Sequence, residues 1–318
     1  MTPRTRTSDL AALVAGLPHS QRRGSRARCV LLTHGTELRV ADRLSALAAP
    51  VLVVSASDHW APRGFVDICE VTLGACPEDI LPAATQATLT RWWLATRGRL
   101  STWDLVSTGR ADGRAALLLV EAKAHAAELE GGTRGGVSAV NRETIDRALD
   151  EATAALAAVL PGWDLRRAPY QLANRIAWAW KLASLGIPVV LVYLGFLHAT
   201  EMSDRGAWFL NRAEWDEAVW RHGARGVPVE AWGRRLPVGD AWLQLETRAM
   251  LQPLPLPCPR CGGQLRWIVY GLPGPAMAAA EGGGFVLGGC CVDDGMPTHT
   301  CEKCGERMNL DGHGGLAL

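Results

Sequence analysis

The stretch LLLVEAKAHAAEL, residues 117–129, sets a run of aliphatic side chains against Glu121, Lys123 and His125 at alternate positions. A β-strand places residues two apart on the same face. The aliphatic run has the character of a strand in the middle of a sheet. A carboxylate, an ammonium and an imidazole would therefore project side by side from its end. Charges are seldom placed there without a partner, a metal or a task.

Upstream, STWDLVSTG (101–109) reads as a second strand and RADGR (110–114) as a turn. An antiparallel hairpin around that turn brings Asp104 near Glu121 and Lys123. Two carboxylates at one sheet edge make a hard-oxygen site suited to Mg²⁺ or Mn²⁺. A lysine beside them is suited to orienting water or stabilising charge on a phosphate. Downstream, YQLANRIAWAW (170–180) reads as a helix with Gln171, Asn174, Arg175 and Trp178 along one face. IPVVLVYLGFLHA (187–199) follows as a second buried strand.

On these residues, over about positions 75–200, the chain resembles the PD-(D/E)XK nuclease superfamily. The resemblance implies an α/β fold, a restriction-endonuclease-like mixed sheet in the order αβββαβ flanked by helices. It makes Asp104 the first acid, with Trp103 where the motif name has proline, Glu121 the second acid and Lys123 the lysine. Gln171 takes the place of the polar residue that points into the active site from the following helix. Arg175 becomes a candidate for phosphate contact. One core strand is left unassigned, and the helix at 142–159 is an insertion. The implied activity is metal-dependent hydrolysis of phosphodiester bonds by a metal-activated water, with Mg²⁺ or Mn²⁺ on Asp104 and Glu121. The implied substrate is nucleic acid, DNA ahead of RNA. Against this stand blander accounts: an exposed salt-bridged strand edge for Glu121 and Lys123, a solvated polar face for Asn174 and Arg175, and a structural role for His125. The rival function is a non-catalytic nucleic-acid- or protein-binding adaptor on a nuclease-like scaffold.

Towards the end of the chain, CPRCGG (258–263) and CEKCGE (301–306) are two C-x-x-C pairs, each followed by glycine. This is the signature of a four-cysteine zinc ribbon, with Cys258, Cys261, Cys301 and Cys304 as ligands. Four cysteines complete a tetrahedron, so the zinc is expected to be structural. Cys290 and Cys291 lie in the gap and are either substitutes or bystanders. Trp267, next to Arg266, is the one ribbon residue kept as a nucleic-acid contact.

Elsewhere, RCVLLTHG (28–35) and PVLVVSAS (50–57) read as buried strands with a helix over 37–49 between them, and a further helix falls within 77–98. The expected organisation is a loose tail over 1–27, a nuclease-like domain over 28–252 and the ribbon over 253–318. Charge at 20% and a net charge of +1 describe an ordinary globular chain, so a nucleic-acid surface would have to be a local patch. The first residues lack the apolar run of a secretion signal. The longest apolar stretch, 176–197, is broken by Lys181 and LGIP, which argues against a membrane span. Nine cysteines without a secretion signal point to thiols and metal ligation in a reducing cytoplasm. A homodimer or a partner protein is left open.

Overall fold

The computed structural model describes residues 7–130, 138–270, 285–289 and 296–309. The chain begins with helices α1 (Thr7–Ala15), α2 (Gly24–Leu32) and α3 (Glu37–Ala48), a two-residue strand β1 (Trp60–Ala61) and helix α4 (Ala83–Trp93). Strands β2 (Leu105–Ala111) and β3 (Arg114–Lys123) are followed by α5 (Ala139–Val159), α6 (Tyr170–Ser184), β4 (Val189–Leu197), α7 (Arg212–Gly223), β5 (Arg235–Val238) and β6 (Ala241–Leu251). The C-terminal part carries β7 (Leu265–Tyr270), β8 (Phe285–Gly289), β9 (His299–Cys301) and β10 (Arg307–Met308).

A six-stranded mixed sheet in the order β1-β2-β3-β4-β6-β5 forms the centre. β2 runs antiparallel to its two neighbours β1 and β3, β4 and β6 are parallel to β3, and β5 returns antiparallel to β6. The β2–β3 hairpin turns on Asp112 and Gly113, whose φ values of 50° and 76° give the tight turn that a two-residue Asp-Gly loop favours. Its register pairs Leu105 with Val120 and Ala111 with Arg114. The crossover from β3 to β4 runs through α5 and α6, as a parallel connection requires. β4 is central and buried on both faces, which explains its unbroken apolar run.

Alternation along β3 divides the core. Leu117 and Leu119 join the layer formed by α4, α5 and α6, while Leu118 and Val120 join α3 and the inner side of α2. Glu121 and Lys123 continue the first set, so the charged end of the strand emerges under α6. Among the described residues, no helix is long and apolar enough to cross a membrane.

Three expectations need correction. Residues 28–35 are not a strand: most of them belong to α2, which is buried on two sides. Cys29 and Leu32 face the sheet, and Ala27 and Leu31 face an outer cluster with Val14, Leu17 and Leu254. A continuous apolar run suits such a helix as well as a strand. Residues 50–57 make a single bridge, Val53 to Arg110, because the free edge of β2 is shared between that residue and β1. Each piece is too short to continue the sheet. Residues 7–27 are not a loose tail, since α1 packs through Val14 and Leu17. Beyond these corrections, β5 and β6 extend the sheet past β4. β6 alternates Leu243 and Leu245 with Gln244 and Glu246, and this polar face is also buried.

Candidate active site and metal centre

Asp104 immediately precedes β2, opposite the end of β3, and its Oδ2 accepts a hydrogen bond from the Ala122 backbone N–H at 2.8 Å. Glu121, 1% exposed, receives two cations: Lys123 Nζ donates to its Oε1 at 2.6 Å and Arg175 Nε to its Oε2 at 2.5 Å. Lys123 Nζ also donates to Gln171 Oε1 at 2.9 Å. Asp104, Glu121, Lys123 and Gln171 thus meet in one cleft of about 300 Å³, where the charged end of the hairpin faces the first turn of α6. Glu121 and Lys123 are buried, so they are not an exposed salt-bridged edge.

The two acids differ in their electrostatics. Burial, and then repulsion from Glu121, pushes the Asp104 carboxyl up to about 7. Burial acts on Glu121 in the same direction, but Arg175 and Lys123 outweigh it and hold that carboxyl below its usual range. Glu121 is the anchored anion. Asp104 is the one that gains by acquiring a positive neighbour.

Arg175 corrects another expectation. It and Asn174 are buried, so neither belongs to a solvated face. The guanidinium lines the cleft, but each of its three nitrogens is already engaged with the protein. Nε holds Glu121, Nη2 donates to the Thr102 backbone carbonyl at 2.6 Å, Nη1 donates to Asn174 Oδ1 at 3.0 Å, and the group lies 4.6 Å from the centre of the Trp103 ring.

The cleft also contains groups that the motif did not indicate: Ser25, Glu70, Thr102 and Glu128. Glu70 is paired with Arg26, and Glu128 Oε2 accepts from the Ala124 N–H at 2.6 Å. Glu70 precedes the motif by more than thirty residues and enters through the segment bridged to Trp103 at Val71, which no local pattern reveals. Glu128 lies seven residues after Glu121 in a short 3₁₀ turn, and only the turn brings it back. His125 is buried with Nε2 3.5 Å from Glu128 Oε1 and is not part of the cleft wall. Glu78 and Asp79 are also outside it, Asp79 being 2.9 Å from His59 Nδ1.

In the C-terminal part, the sulfurs of Cys258, Cys261, Cys301 and Cys304 all lie within 4.8 Å of one another. Cys258 and Cys304 are 3.9 Å apart, and Cys261 and Cys301 are 3.5 Å apart. A tetrahedron with Zn–S bonds of about 2.3 Å has edges of about 3.8 Å, so the four thiols are placed to hold a metal such as zinc. Gly263 approaches the cluster so closely that a Cβ there would stand 3.0 Å from the Cys301 sulfur. β7 to β10 form the accompanying sheet, in the order β10-β9-β7-β8. Cys290 and Cys291 lie outside the described residues. Trp267 packs against His198 with ring centres 4.5 Å apart, so the junction with the main sheet engages the side chain expected to meet nucleic acid.

The chain matches no protein-family model, no curated protein and no solved structure.

Proposed function

We propose that the chain is a metal-dependent nuclease with a restriction-endonuclease-like core of the PD-(D/E)XK type and a C-terminal zinc ribbon. The observation that carries this reading is the meeting of Asp104, Glu121, Lys123 and Gln171 in one cleft. The order of elements supports it. Helix α3 is followed by three antiparallel neighbours in the sheet, β1, β2 and β3, with α4 inserted between the first two, then a helical crossover and a fourth strand parallel to the third. In that scheme β1 takes the place of the unassigned strand and α3 is the first helix of the pattern.

Asp104 and Glu121 offer hard oxygen donors of the kind Mg²⁺ and Mn²⁺ prefer. Such a cation supplies a Lewis acid for the phosphate and lowers the pKa of bound water. The charge balance of the cleft favours the same assignment. Its carboxylates, Glu70, Asp104, Glu121 and Glu128, exceed its cations Lys123 and Arg175, together with the Arg26 partner of Glu70, by one. With all the acids ionised, a divalent cation reverses that balance, so an anionic phosphodiester is repelled without metal and attracted with it. Lys123 uses two of its three N–H donors on Glu121 and Gln171, which aims the third for a phosphate oxygen. DNA stands ahead of RNA on the family resemblance alone. Four cysteines leave no position for substrate, so the ribbon's metal is structural.

The test is cleavage of single- and double-stranded DNA and RNA with Mg²⁺, with Mn²⁺ and with EDTA, comparing wild type with Asp104→Asn and Lys123→Ala. Metal-dependent cutting that is lost in both folded variants is the expected result. A second reading has an observation of its own: both Glu121 oxygens are already occupied by cations. In that reading the core is a scaffold and the chain binds without cutting. Binding of nucleic acid with no metal-dependent cleavage of any substrate would favour it.

A further inference from the structure

Glu121 has more positive charge against it than neutralisation requires. Lys123 alone balances the carboxylate, and it comes from the same strand. Arg175 comes from α6, and its guanidinium reaches a second place that Lys123 does not. Through Nη2 it holds the carbonyl of Thr102, and its face covers the ring of Trp103. These two residues lead directly into Asp104. The same short segment is pinned on its other side by Val71, which exchanges backbone hydrogen bonds with Trp103 at 3.3 and 2.7 Å. Asp104 itself lies ahead of β2, outside the regular hairpin ladder. Its own bond to the Ala122 N–H ties the carboxylate to β3, and the backbone that carries it is held by what grips residues 102 and 103.

We propose that Arg175 is a positioning residue that ties the Asp104 segment to Glu121 through one rigid guanidinium, fixing the spacing of the two carboxylates for a small octahedral cation such as Mg²⁺. This rests on the metal-dependent reading of the cleft. The guanidinium is planar and presents its N–H groups in a fixed fork, so the carboxylate and the carbonyl it binds keep a set separation. An ammonium is a point donor on a flexible stem. It could satisfy Glu121, but it has no planar face for Trp103 and no second fork arm for Thr102. Mg²⁺ demands near-ideal octahedral geometry at short distance, whereas Ca²⁺ accepts a looser shell. Loosening the tie should therefore cost Mg²⁺ binding far more than Ca²⁺ binding.

The experiment is calorimetric titration of Mg²⁺ and Ca²⁺ into the full-length protein without substrate, for wild type, Arg175→Lys and Trp103→Leu, with thermal melts of each. Arg175→Lys keeps a cation beside Glu121, and Trp103→Leu leaves the ion pair untouched while removing the ring. The expected result is Mg²⁺ affinity lowered by about 10- to 100-fold in Arg175→Lys, the range for loss of a group that orients a metal ligand. Ca²⁺ affinity should fall much less, and Trp103→Leu should shift the ratio in the same direction. Equal loss for both ions, or no loss, in folded variants overturns the proposal and leaves Arg175 as part of the fold alone. If Arg175→Lys does not fold, an unchanged Mg²⁺/Ca²⁺ ratio in Trp103→Leu overturns it. Wild type that binds neither ion would instead remove the metal-dependent reading, and this proposal with it.

Discussion

Lys123 and Gln171 meet across the gap between sheet and helix, the Nζ of the lysine donating to the Oε1 of the glutamine at 2.9 Å. The contact joins the last residue of β3 to the second residue of α6 and steers an ammonium that Glu121 holds from one side only. Replacing Gln171 by Leu should leave the fold intact, because its side chain is only half-buried at the helix start. A hydrogen bond to a charged group contributes about 1.5–3 kcal/mol. On the proposed nuclease reading, with that contribution realised in the transition state, cleavage should fall by about 10- to 100-fold, with metal affinity little changed. Steady-state cleavage and metal titration on the same variant check both halves.

Glu121 is a poor residue for testing catalysis by truncation. Removing its carboxylate leaves Lys123 and Arg175 buried beside each other without their shared anion. Breaking a buried pair in this way costs about 3–5 kcal/mol. Glu121→Ala should therefore show a marked loss of stability in urea denaturation, and Asp104→Asn should not. Adding Lys123→Met to Glu121→Ala should recover part of the loss, since one of the two stranded charges disappears. Simple addition of the two single effects would argue against the shared-anion account.

The hairpin, α6, β4 and the C-x-x-C pairs were legible because each rests on a local signal. These signals are an Asp-Gly turn, a helical repeat ending at Gly186, an unbroken apolar run and paired cysteine spacing. The Asp104–Glu121–Lys123 group followed from the hairpin register. What stayed hidden depends on tertiary context. α2 looks like a strand because sheet and outer cluster bury it from two sides. β6 carries a plain alternation, but nothing in it shows that its polar face is also buried, with Gln244 and Arg248 both bonded to Glu246. The role of Arg175 could not be read from a helix repeat, since spacing shows which residues share a face and not what that face meets. Glu70 and Glu128 reach the cleft by a bridge and a turn that have no sequence period.

The four-cysteine cluster makes a stoichiometric prediction. The purified chain should carry one zinc per molecule, and Cys258→Ser should lose it. Substituting Cys290 and Cys291 together should leave the content at one, because the other four thiols already complete the tetrahedron. Chelation should alter tryptophan fluorescence, through Trp267 at its contact with His198, while the far-ultraviolet signal of the main sheet and its helices largely persists. Metal analysis and chelator titration decide it.

The Arg28–Glu201 pair gives a prediction in pH. Arg28 is 2% exposed and lies on α2; Glu201 follows β4 and accepts from the guanidinium at two oxygens. Burial alone would raise the Glu201 carboxyl, but Arg28 outweighs it and holds the pKa below its ordinary value. A carboxyl depressed in the folded state binds protons more weakly there than in the unfolded chain. Its stabilisation is thus present in full above the unfolded value, about 4.3, and is lost as pH falls through the lower folded value. Wild type should lose stability over that acid range, and Glu201→Gln should be less stable at neutral pH with a shallower acid dependence. Urea midpoints collected from pH 3 to 7 measure both slopes. Parallel curves for the two proteins would show that the pair does not govern the acid limb.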